Sequence, residues 1–142
     1  MKLVLDASVA LKWFFRSDPA EADTDTAMDL LRAVGAGAVT LHQPPHFVAE
    51  VAAVLAREMP QSAQLGLADL LDIDMQVIDD PHVMARALDL AARHQHHLFD
   101  TLYHALALET PGAVLVTADD TYRRKAAREG QIVSLAAFSL TT

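Results

Sequence analysis

A chain of 142 residues that is 52% hydrophobic can bury one substantial core and is not compositionally disordered. With 19 acidic against 11 basic side chains the formal net charge is −8, which argues against coating nucleic acid by bulk charge but leaves room for local contact through a few placed cations. The absence of cysteine excludes disulfides and thiolate metal sites, and fits a reducing cytoplasm.

Residues 2–5 (KLVL) read as a strand buried on both sides, broken by Asp6 before the apolar run can resemble a signal peptide. The stretch ALKWFF predicts a short helix, and residues 19–33 a longer one, opened by Asp18-Pro19 with acids in its first turns, where the helix dipole favours them. A glycine turn leads to a short strand around Ala38 to Leu41, and a proline pair opens the next helix. Residues 46–58 and 61–72 predict two helices separated by Pro60. QVID before DP predicts a third strand, followed by helices over 82–94 and 99–109. GAVLVT is a strand, DDTYRRKAARE a helix closed by Gly130, and QIVSL a last short strand.

Apolar strands alternating with helices predict a parallel sheet covered on both faces. With no internal repeat or low-complexity linker, the expectation is one α/β domain over residues 1–142. No segment approaches the roughly 18 uninterrupted apolar residues of a membrane helix. In sheets of this kind ligands bind beyond the carboxyl ends of the strands, which is where Asp6 falls.

Four acids stand in apolar company: Asp6 after the first strand, Glu50 within FVAEVAAVLA, Asp100 before TLYHALAL, and Asp119 after AVLVTA. Asp6, Asp100 and Asp119 could each simply cap a helix. Glu50 is interior to its helix, so capping cannot explain it; a partly buried pairing with Arg57, two turns on, is its plainest structural use. Taken together, carboxylates converging at strand ends would repel one another unless some protonate or a cation joins them. Mg²⁺ or Mn²⁺ suits such oxygen ligands, and a cation there can polarise a phosphate and activate a water. No phosphate-cradling glycine motif competes with this reading.

The succession LVLDASV, EVAAVL, LFDTLYHALAL and LVTADDTY resembles the PIN-domain nucleases, specifically VapC-type toxins of bacterial toxin–antitoxin pairs, over essentially the whole chain. The resemblance implies a three-layer α/β/α sandwich on a mostly parallel sheet of about five strands. It also implies an acidic pocket binding Mg²⁺ or Mn²⁺, endonucleolytic cleavage of RNA by a metal-activated water, and inhibition by a small antitoxin. By position Asp6, Glu50 and Asp100 match the first three acids, and Asp119 the fourth through the T-x-D pattern of TAD. Asp120 is its adjacent rival, since only one of the two can point inward. Ser8 matches a small hydroxyl position that would orient Asp6 or a bound water, and Thr117 could do likewise. Many relatives carry asparagine three residues after the glutamate, where this chain has Ala53.

Lys12, Arg16, Arg57, Arg123, Arg124, Lys125 and Arg128 are the cations that could meet an RNA backbone, with Lys12, Arg16, Arg123 and Arg124 foremost; the plain alternative is a solvated helix face. His94, His96 and His97 sit where a helix ends, a setting that points to surface rather than to a zinc site, and Asp100 and His104 share a helix face. Trp13 and Phe14 suit core or dimer packing better than base stacking. The apolar helices between residues 46 and 72 offer more hydrophobic surface than one thin sheet covers, so a homodimer or antitoxin interface is expected there. The rival to a nuclease is a non-catalytic PIN-like module binding RNA or protein. A receiver domain would need paired acids after the first strand, and a haloacid-dehalogenase phosphatase would need D-x-D; this chain has Asp6-Ala7-Ser8.

Overall fold

Strand β1 (Lys2–Leu5) is buried along Leu3, Val4 and Leu5 because it lies at the centre of a parallel sheet. A computed structural model describes residues 1–140. Among them the sheet also contains β2 (Thr40–Gln43), β3 (Gln76–Val77), β4 (Ala113–Thr117) and β5 (Ile132–Ser134), in the order β3-β2-β1-β4-β5 with every pairing parallel. Parallel neighbours require crossovers, and the apolar helices supply them.

Seven α-helices are present among the described residues: α1 (Ala7–Phe14), α2 (Thr24–Gly35), α3 (Phe47–Glu58), α4 (Ala63–Leu71), α5 (Pro81–His94), α6 (Leu98–Glu109) and α7 (Asp120–Ala126). Helix α6 packs on β1 and β4 with α5 laid against it, while α1, flanked by α2 and α3, meets the same two strands. This is the α/β/α arrangement expected of a PIN-like fold. Residues 101–107 of α6 are all buried, because this helix is enclosed by the sheet and α5 together. A helix buried on every side has no reason to be amphipathic, and its sequence TLYHALA is not.

Several element boundaries differ from expectation, each through a local hydrogen bond. Helix α1 starts at Ala7, three residues early, because Asp6 caps it by accepting from Ser8 N. Helix α2 starts at Thr24 rather than near Pro19. Asp18 instead accepts from Ala20 N in a tight turn, and Asp23 adopts left-handed backbone with φ 58°. The N–H groups of Ala38 and Val39 close the end of α2 on Ala33 O, so β2 begins only at Thr40, whose N–H donates to Met1 O. Trp13 is buried and donates from Nε1 to Ala27 O (2.8 Å), fixing α1 to α2 as core packing rather than as a stacking surface.

The last residue of β1 is held by a side chain. Gln43, fully buried, accepts from Leu5 N (2.8 Å) and donates to Leu5 O (2.9 Å), completing the ladder past the β1–β2 register of Lys2 and Leu3. It thereby fixes the backbone immediately before Asp6. Replacing Gln43 by Leu leaves both groups of Leu5 without a partner and is expected to cost about 2 kcal/mol, read as a shifted urea midpoint at unchanged slope. A change within experimental error would mean that water or another group takes over both bonds.

Candidate active site

The carboxyl ends of β1 and β4 lie side by side; Asp6 follows β1 directly and Asp119 is the second residue past β4. Both cap helices, as their residue type allows, and capping occupies only one oxygen of each. Asp6 Oδ1 accepts from Ser8 N (3.0 Å), and Asp119 Oδ1 accepts from Thr121 N (3.0 Å). Thr117 joins them: its hydroxyl donates to Asp6 Oδ2 (3.0 Å) and accepts from Asp119 N (2.9 Å). Ser8 Oγ accepts from Ala118 N (3.1 Å), tying the two turns together once more. Thr117 thus orients Asp6 directly, whereas Ser8 reaches Asp6 through its backbone N–H.

Glu50 projects from the first turn of α3 with its side chain 35% exposed. Its Oε1 accepts from the buried Tyr103 hydroxyl (2.7 Å) on α6 and lies 3.1 Å from His46 Nε2. His46 Nε2 also lies 2.7 Å from Phe99 O. Both neighbours are acceptors, so Nε2 carries the proton. The expected Glu50–Arg57 pairing is not formed, because Arg57 turns along its own helix to Glu58 (2.9 Å). Burial, followed by the charge of Glu50, pushes the Tyr103 hydroxyl well above its ordinary range, which keeps it a hydrogen-bond donor.

Asp100 lies in the first turn of α6, where the N-cap is His97, so it does not cap its helix. Its Oδ2 sits 2.8 Å from His96 Nε2. One donor atom each from His96, Asp100 and Asp119 lie within 4.8 Å of one another, a spacing that could hold a metal ion. Asp6 is drawn into the same field. Burial raises its carboxyl to about 6, and the charges of Asp100 and Glu50 push in the same direction, against the Ser8 and Thr117 hydrogen bonds. Asp100 and Asp119 thus lie together, and Asp6 feels the charges of Asp100 and Glu50, so Asp100 is the member linked both to Asp6 and to Asp119.

Asp120, the rival of Asp119, points elsewhere. Its two oxygens pair with Arg123 Nε (2.7 Å) and Arg124 Nε (2.9 Å), and Arg123 first among them holds its carboxyl below the usual range. The same pairs partly neutralise two of the cations expected to meet RNA. Lys12 is similarly engaged with Glu21 (3.0 Å). Arg16 is exposed, with Met28 Sδ at 3.7 Å. An open cleft of about 490 Å³ beside Ser8 and Ala118 carries Lys12 and Arg57 on its walls, together with Asp18, Glu21 and Glu58.

His46, Tyr103 and His96 are site neighbours that the sequence reading did not select. The i, i+4 spacings His46–Glu50 and His96–Asp100 were the available signals. His104, which shares a helix face with Asp100, belongs to the core instead. It sits 2.8 Å from Gly130 O through Nε2 and 2.7 Å from Tyr122 Oη through Nδ1, and burial holds its pKa below the ordinary value.

The donor set suits a hard or borderline divalent cation: several carboxylate oxygens, one of them buried beside like charges, with no thiolate present. Asp100 and Asp119, with His96, offer donor atoms at a spacing that could hold it, and Asp6 and Glu50 lie in the same electrostatic field.

A family model for the PIN domain matches residues 3–128. A comparison with curated protein sequences returns no match. Among solved structures the chain is similar to VapBC2 from Rickettsia felis bound to a DNA fragment from their promoter, with TM-score 0.67 and 15% identity over 94% of this chain and 98% of that one. It is also similar to VapC20 from Mycobacterium tuberculosis, a sarcin–ricin loop cleaving toxin, with TM-score 0.62 and 16% identity over 86% and 93% of the two chains. VapBC-1 from nontypeable Haemophilus influenzae gives TM-score 0.64 and 13% identity over 96% and 99%.

Proposed function

The chain belongs to the PIN domain family, and from that premise we propose that it is an Mg²⁺- or Mn²⁺-dependent endoribonuclease, the toxin of a toxin–antitoxin pair. The observation that supports the proposal is the placement of Asp6 and Asp119 past the carboxyl ends of β1 and β4, with Asp100 beside Asp119 and the charges of Asp100 and Glu50 acting on Asp6. There the buried Asp6 stays protonated up to about pH 6 in the absence of a neutralising cation. When bound, a divalent cation supplies charge that polarises the phosphodiester and eases deprotonation of the attacking water.

The chain's own residues do the remainder. Thr117 and the Ser8 N–H hold both oxygens of Asp6 in a fixed plane. Tyr103 holds Glu50 at the rim of the cluster, where its free edge can accept a proton or a substrate hydroxyl. Lys12 and Arg57 in the adjoining cleft and Arg16 beyond it supply phosphate contacts that position an RNA strand without reading its bases. Lys12 and Arg57 pair with Glu21 and Glu58, carboxylates that an RNA phosphate would have to displace.

An antitoxin partner accords with the VapBC similarity and with the exposed Leu65 and Leu71 on α4, apolar surface that a second protein would cover. A second copy of the chain is the other use for that surface. No helix among the described residues is long and apolar enough to cross a membrane.

The test is cleavage of an end-labelled transfer-RNA and ribosomal-RNA pool by partner-free protein. Discrete fragments are expected with Mg²⁺ or Mn²⁺ and none with EDTA. Fragments of equal yield in EDTA would rule out the metal-dependent reading. Intact RNA across the pool, from folded protein with metal, would favour the binding-module alternative.

A further inference from the structure

His96 is the nitrogen in an otherwise all-oxygen cluster, and its distances alone would admit it as a metal ligand. We propose instead that His96 is a positioning residue for Asp100, held in one tautomer by Lys125, and that it stays outside the metal's ligand set. The inference rests on the metal-binding reading given above.

The ring is caught between two groups of opposite hydrogen-bonding character. Asp100 Oδ2 lies 2.8 Å from Nε2, and Lys125 Nζ lies 3.2 Å from Nδ1. An ionised carboxylate only accepts and an ammonium only donates. One arrangement satisfies both: Nε2–H donates to Asp100, and Nδ1 accepts from Lys125. Ligation through Nε2 would require that proton to leave, and moving it to Nδ1 would point it at the ammonium.

The surroundings hold the ring where it is. Its side chain is 8% exposed and lies against Tyr122, with ring centroids 4.8 Å apart. Its backbone is fixed as α5 ends, where Gln95 takes left-handed backbone with φ 49° and His96 N donates to Ala91 O (3.1 Å). Lys125 closes the same corner by donating to Gln95 O (3.3 Å) as well.

Helix α7 therefore controls two carboxylates of the cluster. It fixes Asp119 directly, as the residue that caps it, and Asp100 at second hand through Lys125 and His96. The separation of these two acids is then set by one helix rather than by two independent loops. Hydrogen-bonded supports of this kind tune the ligands they hold.

The test uses the full chain with Mg²⁺ alone as the probe, and two readouts besides cleavage. Calorimetric titration is expected to give wild-type affinity within about threefold for His96→Gln, whose amide N–H replaces Nε2–H. His96→Ala is expected to lose about 10- to 100-fold, and Lys125→Met, which frees the ring tautomer, about threefold to tenfold. Nitrogen chemical shifts of the wild-type ring are expected to report protonated Nε2 both without and with Mg²⁺. Loss of the Nε2 proton on adding Mg²⁺ would make His96 a ligand and overturn the inference. So would wild-type affinity in a folded His96→Ala protein. Wild-type protein that binds neither Mg²⁺ nor Mn²⁺ would sink the metal reading, and this inference with it.

Discussion

Replacing Asp100 by Asn is expected to lower metal-dependent RNA cleavage about 100- to 1000-fold, the loss typical of removing one preorganised electrostatic group from a site. Asp100 is chosen because it joins the two halves of the cluster. Its charge reaches Asp6, and its oxygen falls within 4.8 Å of the donor atoms of Asp119 and His96. Asparagine keeps a carbonyl oxygen for the His96 N–H, and the site is partly open, with the Asp100 side chain 25% exposed. The fold should therefore survive, and a circular-dichroism melt within a few degrees of wild type would confirm it. Cleavage should fall through the rate at saturating RNA more than through RNA affinity, because the cations proposed to meet phosphate lie elsewhere. Retention of more than about a tenth of the wild-type rate would remove Asp100 from the reacting centre. An equivalent loss in Asp120→Asn would likewise contradict the geometry, since Asp120 faces Arg123 and Arg124 instead.

Much of this arrangement was legible because strong local signals agreed with the tertiary fold. The apolar runs KLVL and AVLVT become the two central strands, β1 and β4. The alternation of such runs with helices was enough to expect a parallel sheet, and the acids ending those runs had to appear at its carboxyl edge. Pro60 separates α3 from α4, as its missing N–H requires.

What was not legible depended on partners distant in the chain. The helix end at residues 94–97 reads as surface from its composition, and His97 is exposed, yet the His96 side chain is only 8% exposed because Tyr122 and Lys125 of α7 lie against it. Gln43 reads as an ordinary polar residue before a proline pair. Its function as a substitute strand for Leu5 exists only because the β1–β2 register stops at Leu3. Glu50 and Arg57 share a helix face, but Arg57 has a nearer carboxylate in Glu58, and Glu50 finds Tyr103 across the α3–α6 boundary. The early start assigned to α2 failed for a local reason: Asp18-Pro19 resembles a helix start, while the Asp18 side chain closes a turn and Asp23 breaks the backbone direction. Adjacent Asp119 and Asp120 could be separated only by seeing which faces the acids and which the arginines.

Asp6 gives the sharpest link between site chemistry and stability. Its carboxyl ordinarily titrates at 3.8 and is raised to about 6 in the folded chain, chiefly by burial. The folded state thus holds the proton more tightly than the unfolded state. Stability associated with this group is fully present below about pH 4 and is lost as pH rises through about 6. The difference between about 6 and 3.8 corresponds to about 3 kcal/mol at neutral pH. In EDTA at pH 7.5, Asp6→Asn should accordingly be more stable than wild type by up to about 3 kcal/mol. The amide keeps Oδ1 for Ser8 N and presents Nδ2 to Thr117 Oγ1. Near pH 4 the two proteins should converge. Binding at 100 times the Mg²⁺ dissociation constant adds about 2.7 kcal/mol to the wild type, enough to close most of the gap, and should add little to the variant. Urea unfolding of both proteins between pH 4 and 7.5, with and without Mg²⁺, measures all of this. A stability difference independent of pH would show that Asp6 ionises in the fold without penalty, and the reason for expecting a cation at the head of β1 would disappear with it.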